Sequence, residues 1–170
     1  MSSVSDLVVA KRIEARNYAV EAAMVAYHHA GIMQYTEGPG RWDGMTERKD
    51  ARKGQYPPAA DCSAFAFWCV GYNGLALPFG IRDTMNGANG QSGYTGTMLL
   101  HGKQVHNMAN VQRADCVIYG HAWPGQHTAV VVGRRSDGKI MVISHGHPGA
   151  PDYLPYDEMG IPILQVRRYI

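Results

Sequence analysis

The sequence predicts an α+β fold in which N-terminal helices pack on a C-terminal antiparallel sheet. Two observations carry this. Two segments with helix signals lie in the first seventy or so positions, whereas β-branched runs dominate from position 116 onward. Short turns, such as Ser136-Asp137-Gly138 between two of those runs, leave no room for crossover helices.

The first segment reads as a helix from Asp6 to Ala30, capped by Ser5 or Asp6 and stopped at Gly31. Leu7, Ile13, Ala22 and Met24 contribute its apolar stripe. Gln34 to Ala60 is polar and rich in glycine and proline. It reads as an ordered loop with a short helix near 45–52, anchored by Trp42 and Tyr56. Asp61 to Gly71 reads as a second helix: Pro57 and Pro58 precede it, Asp61 caps it, and Phe65, Trp68 and Cys69 supply bulk for burial. A glycine-rich connection follows from Pro78 to Gly93, then a short helix from Thr95 to His101. Four runs supply strands: Cys116 to Tyr119, His127 to Gly133, Ile140 to His145 and Ile163 to Ile170.

The 170 residues suit one domain, 1–170, with a helix and loop region over 1–53 and a core over 54–170. A formal charge of +2 argues against a dedicated nucleic-acid binder, which would carry a basic excess. No run approaches the 18 or so apolar residues of a membrane span. Met1 to Ser5 lacks the basic and apolar blocks of a signal peptide, so no signal peptide is expected.

Three cysteines, an odd number, do not make a disulfide framework. Cys62 falls in the first turn of the second helix, where unpaired N–H groups and the helix dipole favour a thiolate. Cys69 and Cys116 read as core. His127 opens the strongest strand, a place to hold an imidazole rigidly beside a thiol. A third polar group is needed to orient that ring. With the hairpin folded symmetrically about Asp137, His145 is the expected partner, with Ser144, His147 and Asp152 as rivals. His127, His145, His147 and Asp152 also invite a zinc site, but that would leave the positioned thiol unexplained, and no His-Glu-x-x-His helix exists. No metal and no cofactor is expected.

These motifs in this order resemble the NlpC/P60-like cell-wall cysteine peptidases, which are papain-like and related to CHAP amidases. Asp61-Cys62-Ser63 resembles the nucleophile motif, with Ala64 where Gly is usual. Ala114-Asp115-Cys116-Val117-Ile118-Tyr119 resembles the strand entry Gly-Asp-Leu-Val-Phe-Phe. His127-Thr-Ala-Val-Val-Val-Gly133 resembles the strand that carries the histidine. Ser144-His145-Gly146 with Pro148 to Pro151 resembles the ending of actinobacteriophage endolysin peptidase domains. The resemblance covers about 54–170, the peptidase core.

It implies Cys62 as nucleophile, His127 as base and acid, and His145 as the orienting residue. Tyr56 is the match for a tyrosine near the oxyanion. Asp61, Ser63, Trp42 and Trp123 are candidates for the substrate lining, with the 80–96 connection bordering the groove. The implied partner is bacterial peptidoglycan, cut at an amide bond by a monomer that needs no nucleic acid, membrane or cofactor. Such an enzyme would be phage-encoded, made in the host cytoplasm and act on the host wall, as part of a longer endolysin. The alternative is a non-catalytic wall-binding or virion module on the same fold.

Overall fold

The structure is a computed structural model describing residues 4–43, 49–72 and 94–170. Helix α1 runs from Val4 to His28. Its packing departs from the expected stripe. Ala15, Tyr18, Ala19, Ala22, Ala23 and Ala26 are buried, whereas Leu7 and Ile13 are about half exposed. The body of the protein covers only the second half of α1, and alanines there let the helix axis approach closely.

Between α1 and the nucleophile segment, Gln34–Tyr35 (β1) and Ala59–Ala60 (β2) form a parallel two-stranded ribbon. Single 3₁₀ turns lie at Pro39–Trp42 and Ala51–Lys53. Of the helix expected near 45–52, residues 44–48 lie outside the described residues, and the part that is seen is this second 3₁₀ turn.

Helix α2, Cys62–Phe67, is shorter than expected and passes into a π-helical turn at Trp68–Tyr72. All six residues of α2 are buried. An almost uniformly apolar or small sequence, CSAFAF, suits a helix enclosed on every side. The indole of Trp68 donates to the Lys49 carbonyl at 3.0 Å, so this large side chain is buried with its polar atom satisfied. The 78–93 connection lies outside the described residues. Helix α3 spans Thr95–Leu100.

Six strands form one antiparallel sheet: Lys103–Gln104 (β3), Cys116–Tyr119 (β4), His127–Arg134 (β5), Ile140–Ser144 (β6), Asp152–Pro155 (β7) and Ile163–Arg168 (β8). Their order is β3-β8-β4-β5-β6-β7. Alternation sends Cys116, Ile118, Val130 and Ile143 into a core shared with α1 and α2. Val117, Tyr119, Ala129, Val131 and Val142 form a second core on the opposite face. The ion pair of Arg168 with Asp115 at 2.7 Å ties β8 to the entry of β4.

One irregularity decides the geometry of the site. Near the turn, Arg134 pairs with Ile140 and Gly133 with Met141, so the paired numbers sum to 274. After a bulge at Val132, Val131 pairs with Val142 and Ala129 with Ser144, and the sum falls to 273. A one-residue change of register exchanges the faces of all side chains beyond it.

Candidate active site

Asp61 caps α2. Its backbone is extended, and its Oδ1 accepts from the Ala64 N–H at 2.7 Å and from the Ser63 hydroxyl at 2.9 Å. Its Oδ2 accepts from Arg41 Nη1 at 2.9 Å. A cap of this kind contributes about 1 kcal/mol to the helix, and here it also sets the direction of the first turn. Burial pushes the Asp61 carboxyl upward, while the Ala64 N–H, Arg41 and Ser63 pull it back down.

Cys62 follows immediately and is 8% exposed. Its sulfur lies against the backbone N–H of Thr128 on β5, together with the amides of Ser63 and Cys62 itself. These donors favour the thiolate. Burial, reinforced by the Asp61 carboxylate, outweighs them and pushes the thiol up to about 12. The resting sulfur is therefore protonated. Cys69 and Cys116 are also free thiols, and both are fully buried in the core between sheet and helices.

Thr128 is the residue after His127, so β5 brings the imidazole-bearing position beside the sulfur. His127 is buried, and its ring lies 6.0 Å from that of Tyr119. Its Nε2 is 2.5 Å from Ser144 Oγ, while Nδ1 makes no hydrogen bond among the described residues. Burial holds His127 down at about 4, with His145 and His147 adding like-charge pressure. No hydrogen bond joins Cys62 to His127 among the described residues; both groups rest in their neutral forms.

His145 is placed differently from the expectation. It is fully buried on the helix-facing side of the sheet, edge-on to Tyr35 at 5.7 Å and 6.0 Å from Phe65. Its Nε2 donates to the Gln34 carbonyl at 3.2 Å, and its Nδ1 makes no side-chain hydrogen bond among the described residues. The hydrogen bond expected between His127 and His145 is made by Ser144 instead. The cause is the bulge: at a sum of 274 His145 would share the face of His127, and at 273 Ser144 and Gly146 do.

Tyr56 has its ring stacked on His29 at 4.4 Å. The tyrosine that interacts electrostatically with Cys62 is Tyr35, whose place in β1 sets it opposite Ala60, two residues before the thiol. The signal for it was faint, a two-residue strand ahead of the Gly38-Pro39-Gly40 turn. Trp42 is half-buried, with the Arg41 guanidinium 4.4 Å from its ring centroid, so it supports the Arg41–Asp61 pair. Trp123 is exposed. His147 and Asp152 form an exposed ion pair at 2.7 Å. Arg41 and Gly146 escaped the sequence reading. A Cβ placed on Gly146 would lie 2.7 Å from His127 Cε1, so only glycine leaves room for the ring.

Among the described residues, no group of three or more His, Cys, Asp and Glu could hold a metal ion, and no helix is long and apolar enough to cross a membrane.

A cysteine at the start of a buried helix, set against a histidine-bearing strand of an antiparallel sheet, defines an NlpC/P60-like fold. Solved structures that share it include two from one organism. The structure of NlpC1 from Trichomonas vaginalis is 17% identical, with a TM-score of 0.55, and the match covers 89% of this chain and 44% of that one. NlpC2 from the same organism is 16% identical, with a TM-score of 0.55, over 89% of this chain and 47% of that one. The chain thus spans less than half the length of these neighbours. No family model matches the sequence, and no curated protein does.

Proposed function

We propose that this protein is a cysteine peptidase or amidase that hydrolyses an amide bond of bacterial peptidoglycan. The observation that carries the reading is the placement of Cys62. It alone of the three thiols stands at a helix start, capped by Asp61 and set against the N–H next to His127. The NlpC/P60-like fold supports the choice of substrate class.

In this mechanism Nδ1 of His127 takes the Cys62 proton as the sulfur attacks the carbonyl carbon, and then protonates the leaving amine. The neutral resting pair fits proton transfer coupled to attack rather than a stored thiolate. Backbone amides at the start of α2 face the developing oxyanion, and Tyr35 takes the place first assigned to Tyr56. Water then hydrolyses the thioester, releasing the acid and returning the proton to the thiol.

Release of new amino groups from purified sacculi tests the reading. Wild-type protein is expected to release them, and a folded Cys62→Ala protein is not. Equal release by the two would refute it, and binding to sacculi without release by either would favour a wall-binding module.

A further inference from the structure

We propose that Ser144, not a second histidine, is the residue that positions His127, accepting a hydrogen bond from its Nε2–H so that Nδ1 is presented as the proton acceptor. The inference rests on the peptidase reading for its consequence in catalysis, but not for its geometry.

Four observations carry it. Ser144 Oγ is 2.5 Å from His127 Nε2, and both side chains are buried, so water does not compete for the contact. The Ser144 hydroxyl has a second neighbour, the thioether of Met159 at 4.0 Å, towards which it donates. A hydroxyl has one hydrogen; spent on sulfur, it leaves the oxygen lone pairs to accept from Nε2–H. The neutral ring is thereby set in one tautomer, with its lone pair on Nδ1. Gly146 packs beneath the ring and closes the space into which it would tilt.

His145 is already committed elsewhere. Its Nε2 is bound to the Gln34 carbonyl, and its ring is held by Tyr35 and Phe65. It fastens the β1–β2 ribbon to the end of β6, and in doing so keeps Tyr35 beside the nucleophile. It positions the ribbon and leaves the imidazole of His127 to Ser144.

The titratable groups facing His127 are Tyr119 from β4 and His145 and His147 after β6. None supplies an anion to Nε2–H at neutral pH. Ser144 therefore orients the ring without stabilising its protonated form, unlike a carboxylate in the same place.

The test reads the free protein first. Nitrogen-15 spectra of histidine-labelled protein, with His127 assigned by its absence from His127→Gln, are expected to show a protonated Nε2 and an unprotonated Nδ1, with the Nε2–H protected from exchange. Protonation at Nδ1 instead would overturn the proposal, and needs no variant to be seen. Ser144→Ala is then expected to fold, lose the protection of Nε2–H, and lower kcat on sacculi about tenfold with KM unchanged. Undiminished kcat, or unchanged protection, would overturn it. The tautomer is read without substrate, so it separates this proposal from the peptidase reading, which stands or falls on Cys62→Ala.

Discussion

Gly146→Ala is the sharpest perturbation of the site that leaves every reactive atom in place. The added methyl carbon would sit 2.7 Å from His127 Cε1 and 3.4 Å from both ring nitrogens. Real contacts of this kind begin near the larger value, so the ring must give way by about 0.7 Å, the difference between the two. Among the described residues the only hydrogen bond that holds it is the 2.5 Å contact with Ser144, and a shift of that size stretches or tilts it out of range. Misplacing a reacting group by an ångström can cost on the order of 100-fold, so kcat should fall about 10- to 100-fold. Stability should fall by up to about 3 kcal/mol. Gly146 does not need a left-handed backbone, so alanine gains up to about 1 kcal/mol by restricting the unfolded chain, against about 1–3 kcal/mol of overpacking. The assay is amino-group release from sacculi, with a urea titration alongside. Full activity in a protein of unchanged stability would refute the packing of His127 against Gly146 as a determinant of catalysis.

Two further outcomes are expected. His127 has a folded value near 4 against an ordinary 6.5, so the unfolded chain binds the proton more readily. Its contribution is fully present above pH 6.5 and is lost as pH falls towards 4, by at most about 3 kcal/mol. Urea unfolding at pH 7 and 4.5 should show the decline, and His127→Gln should flatten it; an equal slope in both proteins would count against a neutral buried imidazole. Arg41→Ala leaves the 5%-exposed Asp61 without its cation, at a cost of about 3 kcal/mol, and raises the Cys62 thiol further. Slower alkylation of Cys62 by iodoacetamide at pH 9 checks the second effect, and faster alkylation in a folded variant would contradict it.

The helix-to-sheet progression was legible because burial imposes its period on the sequence. Cys116–Tyr119 is four buried residues bounded by Asp115 and Gly120, and β5 and β6 flank a turn that announces itself at Asp137-Gly138. The cap at Asp61 was legible because capping is local chemistry. Strands of two residues, β1 and β2, carry too few side chains to show a period, so Tyr35 went unnoticed and Tyr56 was preferred. The insertion of β8 between β3 and β4 is a long-range pairing with no local signature. The extent of α1 burial depends on what the rest of the chain covers, which Leu7 and Ile13 cannot report. The choice between His145 and Ser144 hung on a bulge at Val132, in a run of three valines where no residue marks the extra position.

That bulge has an evolutionary corollary. Closing the bulge, so that Val132 pairs with Val142, would carry the sum of 274 through the hairpin and bring His145, with His147, onto the face of His127. A one-residue slip of register would thus exchange an alcohol for an imidazole beside His127, without a substitution at either position. Ser144 and His145 stand next to each other like two settings of one selector, and the bulge chooses between them. In chains of this fold with and without such a bulge, the identity of the third group follows from the pairing register of the two strands rather than from matching letters.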